Sequence, residues 1–449
     1  MSGPEVSLDH ARGAAADALV TGARLIDPGL GLDRLGDVLV RGGRVAEIAE
    51  PGALEAPSGV ELVDATGLVA VPGFVDPHVH LRTPGLEHVE DVDSGTRAAA
   101  AGGFCAVLAM PNTQPVVDSA PLLRSLRERA RQTAHVPTGF LAAITQGQRG
   151  DALTEMAELA DSGAVAFSDD GLPVRDAGVL RLALQYQRLA GRVLALHEED
   201  PSLSGAGVMH EGAVSARLGL AGIPSISEST TIARDAAIAG YEGGRLHFQH
   251  LSALESVACV EQAKAAGIAV SAEVSPHHLT LTDEDVRSLD TNLKMNPPLR
   301  AQRDRRALVD GLRSGTIDCV ATDHAPHPRE EKEQPFEVAP MGVTGLETAF
   351  AALHTELVLP GLLDLGLLVA RMTAGGAAFG LAAPSLAAGS QANLCLIDLD
   401  AEWTVGEAGY ESRSGNSCFA GRRLTGRVRM TIAGGGVAYR ERSFALGAV

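Results

Sequence analysis

Eight short apolar runs recur through the middle of this sequence, and each stops at polar or ionisable residues. In order they are FVDPHVH, FCAVLAMPN, TGFLAAIT, AVAFSDD, RVLALHEE, LHFQHLS, IAVSAEVSPHH and IDCVATDHAPH. Segments rich in Ala, Leu, Arg and Glu separate them, among them EDVDSGTRAAAAGG, APLLRSLRERARQ and ALESVACVEQAKAAG. Short continuous apolar runs read as strands buried on both faces, and such strands belong to parallel sheets covered by helices. Eight of them with intervening helices predict an α/β fold, a (β/α)8 TIM barrel, over residues 71–381. An open doubly wound sheet shares the alternation. No G-x-G-x-x-G follows the first strand, which argues against a dinucleotide-binding version.

The chain ends have a different texture. ALVTGARLIDP, GDVLVRGGRVAEIAE and VELVDATGLVAVPG alternate apolar with polar residues and break at Gly or Pro. SQANLCLIDLD, EWTVG and GRVRMTIAGGGVAYR repeat the pattern near the other end. They predict a small composite β-sandwich-like domain from residues 17–70 and 382–449. Residues 1–16 are polar and acidic without an apolar signal core, and are expected to be a disordered extension. Aromatics are only 3% of the chain, so the 45% hydrophobic content must fill its cores with aliphatic side chains. A net charge of −19 opposes binding to nucleic acid. No apolar run is long enough to span a membrane. The five cysteines are scattered without a C-x-x-C pair, which fits reduced thiols in a cytoplasmic protein.

The chemistry lies at the strand ends. The first run carries Asp76, His78 and His80, the fourth ends in Asp169 and Asp170, the fifth in His197, the sixth in His250 and the eighth in Asp323. In a barrel these positions converge at the C-terminal mouth. Side chains two apart on a strand share a face, so His78 and His80 point together. Singly, each has a bland reading: the Asp pair as a helix N-cap, a lone His as a satisfied core residue. Eight such groups on five strand ends demand a common purpose. Four imidazoles and two carboxylates suit Zn²⁺, with Mn²⁺ or Co²⁺ as substitutes, and exceed what one tetrahedral ion needs. Two metals sharing a carboxylate and a hydroxide would use all six, with the hydroxide as nucleophile.

Together VDPHVHLRTPG, AMPNTQP, FSDDG, LHEE, QHLS, SPHHL, KMNPPLR and TDHAPH resemble the type I bacterial dihydroorotases of the amidohydrolase superfamily, across nearly the whole chain. The resemblance implies one zinc on His78, His80, Asp170 and Asp323, and a second on Asp170, His197 and His250, with Asp170 and a hydroxide bridging. Many relatives bridge with a carboxylated Lys, but FSDDG has none. Asp323 would be the proton carrier. His80, Arg82, Asn112, Asn296 and His327, with backbone groups of Met341 and Gly342, would hold the substrate. A guanidinium two residues past His80 suits a carboxylate in a bidentate grip. The implied reaction is the reversible cyclisation of N-carbamoyl-L-aspartate to (S)-dihydroorotate and water in pyrimidine synthesis. Homodimers are common in the family, and some members assemble with aspartate carbamoyltransferase. A homo-oligomer and that complex are therefore expectations.

Three positions depart from the family pattern. Thr83 replaces a usual Glu, Asn393 a common Asp, and MTAGGAAFGL lacks Asn-Pro. His277, His278 and His324 are expected to support the site rather than ligate. His10, His88, His135, His210 and His354 carry no argument. Two rival functions are another cyclic-amide hydrolase, such as a hydantoinase or allantoinase, and a non-catalytic scaffold partner of the transcarbamoylase.

Overall fold

The computed structural model describes residues 6–445. The predicted runs form parallel strands at Phe74–Val79, Phe104–Ala109, Thr138–Phe140, Leu194–Leu196, Leu246–Phe248, Val270–Val274 and Cys319–Val320. The fourth run contributes a single bridging residue. Phe167 pairs in parallel with Ala142 on one side and Leu194 on the other. Strands one to three pair in sequence, and five, six, seven and eight do likewise. A parallel bridge between Val79 and His324 returns the eighth strand to the first, and His80 N donates to His324 O at 2.9 Å. The ring therefore closes at its C-terminal rim, and a closed sheet has no edge to protect.

The helix after the first strand, Val92–Ala101, shows how sequence sets the layers. Asp91 caps its N-terminus by accepting from Ser94 N, while the Ser94 side chain satisfies the Asp91 backbone. Its buried face is mostly Ala, Gly, Ser and Thr, so the helix lies close to the strands. Gly102 ends it where a Cβ would sit 2.1 Å from Leu346 O, which excludes any larger residue. The few aromatics concentrate beneath this region: Phe74 meets Phe104 edge-on at 5.8 Å and stacks on Phe350 at 5.7 Å. Full burial of such a side chain is worth roughly 1.5–3 kcal/mol. Phe379 closes the lower barrel against His247, with ring centroids 5.0 Å apart.

The chain ends, expected to be sandwich-like, build one mixed sheet. Its order is Gly436–Arg440, Arg423–Ala433, Leu394–Thr404, Val69–Pro72, Ala18–Asp27, Leu32–Arg41, Arg44–Ala49, with Glu61–Asp64 also on Ala18–Asp27. The sheet curls so that its last strand meets the segment leading into Leu394–Thr404: Ala392 N donates to Gly43 O at 2.9 Å, and Arg44 bridges to Gln391. Val20, Leu25, Val38, Leu394, Met430 and Ile432 fill a separate core inside the curl.

Residues 6–16 correct the expectation of a disordered extension. Asp9 pairs in antiparallel fashion with Thr138, and its carboxylate takes Arg127 Nε at 2.6 Å and Arg131 Nε at 2.9 Å. A segment that contributes a partner to a barrel strand has exchanged its freedom for backbone hydrogen bonds. Residues 1–5 lie outside the described residues. All five cysteines are free, and Cys105, Cys319, Cys395 and Cys418 are buried. Among the described residues no helix is long and apolar enough to cross a membrane.

Candidate metal centre

The six predicted strand-end groups converge at the C-terminal rim. His78 Nε2 lies 3.5 Å from both Asp170 Oδ1 and Asp323 Oδ1. His80 Nε2 lies 3.5 Å from Asp170 Oδ2 and 3.1 Å from Asp323 Oδ1. On the other side of Asp170, His197 Nδ1 and His250 Nε2 approach Oδ1 at 3.8 and 3.7 Å and each other at 3.0 Å. Two triads result, His78–His80–Asp170 and Asp170–His197–His250. Each has ligand atoms within 4.8 Å of one another and could hold a metal ion, and Asp170 belongs to both. All six residues are buried.

The outer nitrogens decide what these imidazoles can bind. His78 Nδ1 lies 2.7 Å from Glu273 Oε1, and His197 Nε2 lies 3.2 Å from Glu199 Oε2. A carboxylate there only accepts, so each of those nitrogens carries the proton. His80 Nδ1 faces Asn112 Oδ1 at 2.9 Å, while Asn112 Nδ2 donates to Asp170 Oδ2 at 3.2 Å. The Asn112 oxygen is thus an acceptor, and His80 Nδ1 also carries its proton. Occupied by a metal, the space that Asp170 and Asp323 face would therefore receive lone pairs from three imidazoles; without one, Nε2 of His78 and His80 can hold a proton toward Asp170 and Asp323 instead. Lone pairs opposite carboxylates repel unless positive charge lies between them. His78 Nε2 and Asp170 Oδ1 are buried without any hydrogen-bond partner, as metal-ligand atoms would be.

Without a metal, protons on the imidazoles supply the positive charge this space calls for. Burial disfavours charge on His78, yet Asp170 and Glu273 outweigh it and raise its pKa well above the imidazole range. Burial likewise opposes ionisation of Asp170, but His78, His250 and His80 hold its carboxyl well below the usual range. Asp323 behaves the same way: burial is overcome by the His80 hydrogen bond and the neighbouring imidazoles. A cation would meet two ionised carboxylates already in place.

Asp169 and Asp170, adjacent in sequence, have separate roles. Asp169 accepts from Ile144 N at 2.8 Å and Thr145 N at 3.1 Å, and from the Thr145 hydroxyl. Burial pushes its carboxyl up to about 6 despite those bonds. Asp76 likewise serves the scaffold. It accepts from Thr322 N at 3.1 Å and so ties the first strand to the eighth. Strain gathers at the rim: Arg82, His250 and Asp323 have φ of 54°, 31° and 47°, in the left-handed region that non-glycine residues avoid.

The residues expected to hold substrate lie around this cluster in three groups. Arg82 Nη2 approaches His327 Nε2 at 3.5 Å, and His327 Nε2 meets Met341 O at 2.9 Å. Gly342 follows with φ 131°, where a Cβ would stand 2.9 Å from His327 Nε2. Asn112 bridges His80 and Asp170. Asn296 Nδ2 donates to Glu199 Oε2 at 2.7 Å, beside His197.

Sequence reasoning missed Glu273 and Glu199. Glu273 receives His78 on one oxygen and His247 Nε2 on the other at 2.9 Å, and also accepts from His250 N at 3.2 Å. Burial is overcome by these imidazoles, which hold it down to about 2. Its only sequence signal is a carboxylate in an otherwise apolar strand. The supporting histidines are buried as expected. His278 Nε2 donates to Pro297 O at 2.9 Å, and His324 Nε2 faces Glu90 at 3.3 Å. His277 Nε2 has no partner, and burial lowers its pKa to about 4.

Comparison with known proteins bears on this geometry. The Dihydro-orotase-like family model matches residues 67–256, and the Amidohydrolase family model matches 225–438. The dihydroorotase of Anaeromyxobacter sp. (strain K) is 47% identical over 94% of this chain and 98% of its own length. The chain belongs to the dihydroorotase family. A second dihydroorotase, from Geobacter metallireducens, is 45% identical over 94% of this chain and 99% of its own. Among solved structures, L-hydantoinase from Arthrobacter aurescens superposes with a TM-score of 0.84 at 27% identity, covering 95% of this chain and 96% of its own. The dihydropyrimidinase of Brevibacillus agri gives 0.81 at 22% identity over 94% and 95%, a likeness of fold. The barrel, the enzymatic class and the dihydroorotase relationship read from the sequence all agree with these matches.

Proposed function

We propose that this chain is a zinc-dependent dihydroorotase, interconverting N-carbamoyl-L-aspartate and (S)-dihydroorotate with release or uptake of water in pyrimidine synthesis. One zinc would be held by His78, His80, Asp170 and Asp323, the other by Asp170, His197 and His250. The observation that carries the reading is the set of three imidazoles, each anchored through its outer nitrogen, and two ionised carboxylates facing one buried space. Zinc bound there supplies a Lewis acid and lowers the pKa of water toward neutrality.

The chain's own groups do the rest. Asp323 is ionised at neutral pH and sits at the rim. It accepts the proton released by the attacking water and passes it to the departing ring nitrogen. In the biosynthetic direction the same carboxylate takes a proton from the carbamoyl nitrogen. Arg82 offers a guanidinium beside His327 and Met341, and grips the substrate carboxylate. Asn112 and Asn296 bound the pocket while fixing His80 and Glu199. His327, Met341 and Gly342 form the facing edge. The two composite units, 71–381 as the barrel and 17–70 with 382–449 as the sheet domain, belong to the same reading. So do self-association, a cytoplasmic setting and assembly with aspartate carbamoyltransferase.

The hydantoinase likeness favours one second reading, a hydantoin-cleaving amidohydrolase. Lysine argues against a carboxylated bridge: it occurs only at Lys264, Lys294 and Lys332, none of them in either triad. A turnover screen with dihydroorotate, hydantoin and allantoin decides. Activity confined to dihydroorotate supports the proposal, and preference for hydantoin or allantoin overturns it.

A further inference from the structure

This chain is nearly devoid of lysine. Beyond Lys264, Lys294 and Lys332, every cation among its 37 Lys and Arg is an arginine. Lys264 pairs with Asp318 at 2.7 Å near the opposite end of the strands. The other two are buried together beneath the loop that follows the eighth strand. Lys294 Nζ donates to Phe336 O at 2.7 Å, Glu337 O at 3.1 Å and Ala339 O at 2.7 Å. Lys332 Nζ donates to Pro340 O at 3.0 Å, Gly342 O at 2.9 Å and, more weakly, Lys294 O at 3.4 Å. Gly342 N returns a bond to Lys294 O at 2.9 Å, and the Thr291 hydroxyl donates to Lys332 O.

Burying an ammonium without a paired carboxylate is costly, and here backbone carbonyls compensate, with the Phe336 ring centroid 5.6 Å from Lys294 Nζ. Three carbonyls converging on one point suit a tetrahedral ammonium. The planar guanidinium fork does not match that arrangement. The need for this geometry accounts for two of the three lysines in a chain that uses arginine almost everywhere else. Burial, with the nearby Lys294 ammonium, lowers Lys332 to about 8, so all three donors are present at neutral pH. The locked segment leads straight into the pocket edge. Gly342 O is also held by Asn416 Nδ2 at 3.1 Å, and Met341 O meets His327, which meets Arg82.

We infer that Lys294 and Lys332 are positioning residues, an interlocked ammonium pair that holds the 329–342 loop in place and thereby fixes the Met341–Gly342 edge against which substrate binds. The inference rests on the dihydroorotase reading for the identity of that edge.

The test uses full-length zinc-loaded protein and two variants, Lys332→Met and Lys294→Met. It reads amide hydrogen exchange over 329–342, zinc content, and KM and kcat for dihydroorotate. Loss of one lysine's hydrogen bonds should raise loop exchange and KM by about tenfold each, with kcat changed by less than about threefold and zinc content unchanged. Unchanged loop exchange in both variants would overturn the lock. So would exchange that rises throughout the barrel strands rather than in the loop, or loop exchange that rises while KM stays at the parent value. If the parent protein itself fails to turn over dihydroorotate, the functional proposal falls, and exchange in the loop still decides whether the lysines lock it.

Discussion

Replacing Glu273 by Gln probes the support of the metal centre without touching a proposed ligand. Glu273 receives His78 Nδ1 at 2.7 Å on one oxygen, His247 Nε2 at 2.9 Å on the other, and the His250 backbone at 3.2 Å. It therefore braces one ligand from each triad. Glutamine keeps a single acceptor. If that oxygen stays with His78, the amide faces His247, which must change tautomer against Ser271 Oγ at 2.8 Å. If it turns to His247, the amide confronts His78 and favours the tautomer whose proton points at the metal space. Either way His78 loses a charged hydrogen-bond partner, and such a bond is worth about 1.5–3 kcal/mol. At about 1.4 kcal/mol per decade, zinc affinity should fall roughly 10- to 100-fold, the range known for partners of metal-bound histidines. Competition against a chromophoric chelator at pH 7 measures it, with circular dichroism as a check on folding. Affinity within about twofold of the parent, in a folded variant, would refute the claim that Glu273 sets the His78 tautomer.

Three other perturbations test the remaining parts. Asp323→Asn should keep most of its zinc and lose turnover by at least about 10²-fold, the lower end for a positioned acid–base group; near-parent kcat would remove Asp323 from proton transfer. Arg82→Ala should raise KM for dihydroorotate by about 10- to 100-fold, consistent with loss of a charged contact, and an unchanged KM would remove the clamp. Glu347 tests the electrostatics away from the metals. Burial raises it to about 7, against hydrogen bonds from Glu411 N and Ser412 N. A carboxyl whose folded pKa exceeds its ordinary 4.5 binds more protons folded than unfolded, so it costs stability as pH rises from 4.5 to 7. The Tm of Glu347→Gln relative to the parent should therefore increase from pH 5 to pH 8, and a pH-independent difference would show that Glu347 ionises freely.

The ring of strands was legible because buried parallel strands leave continuous apolar runs, and all eight runs take part in the barrel. The fourth shows the limit of that signal. AVAFSDD is apolar enough to be a strand, yet only Phe167 makes ladder bridges. The candidate metal cluster was legible because strand-end His and Asp have few other reasons to follow apolar runs. Choosing Asp170 over Asp169 required coordinates or a relative, since the distinction lies in which carboxylate the backbone of 144–145 consumes. Glu273 was hidden for another reason. Its partner His78 is 195 positions away, and one acidic residue in a strand has no periodicity. The Lys294–Lys332 pair was hidden too, because its partners are backbone carbonyls, which every sequence has. Residues 6–16 look like a solvated tail in composition, yet Asp9 pairs with Thr138, Arg127 and Arg131, and Ala15 bridges to Gly436, which fixes them.

Anomalous diffraction at the zinc edge, from crystals of protein purified without chelator, tests the central claim most directly. The account predicts two strong peaks separated by about 3.5–4 Å, one beside His78, His80 and Asp323, the other beside His197 and His250, with Asp170 between them. An empty rim in a protein that still turns over dihydroorotate, or zinc seated away from those side chains, would contradict it.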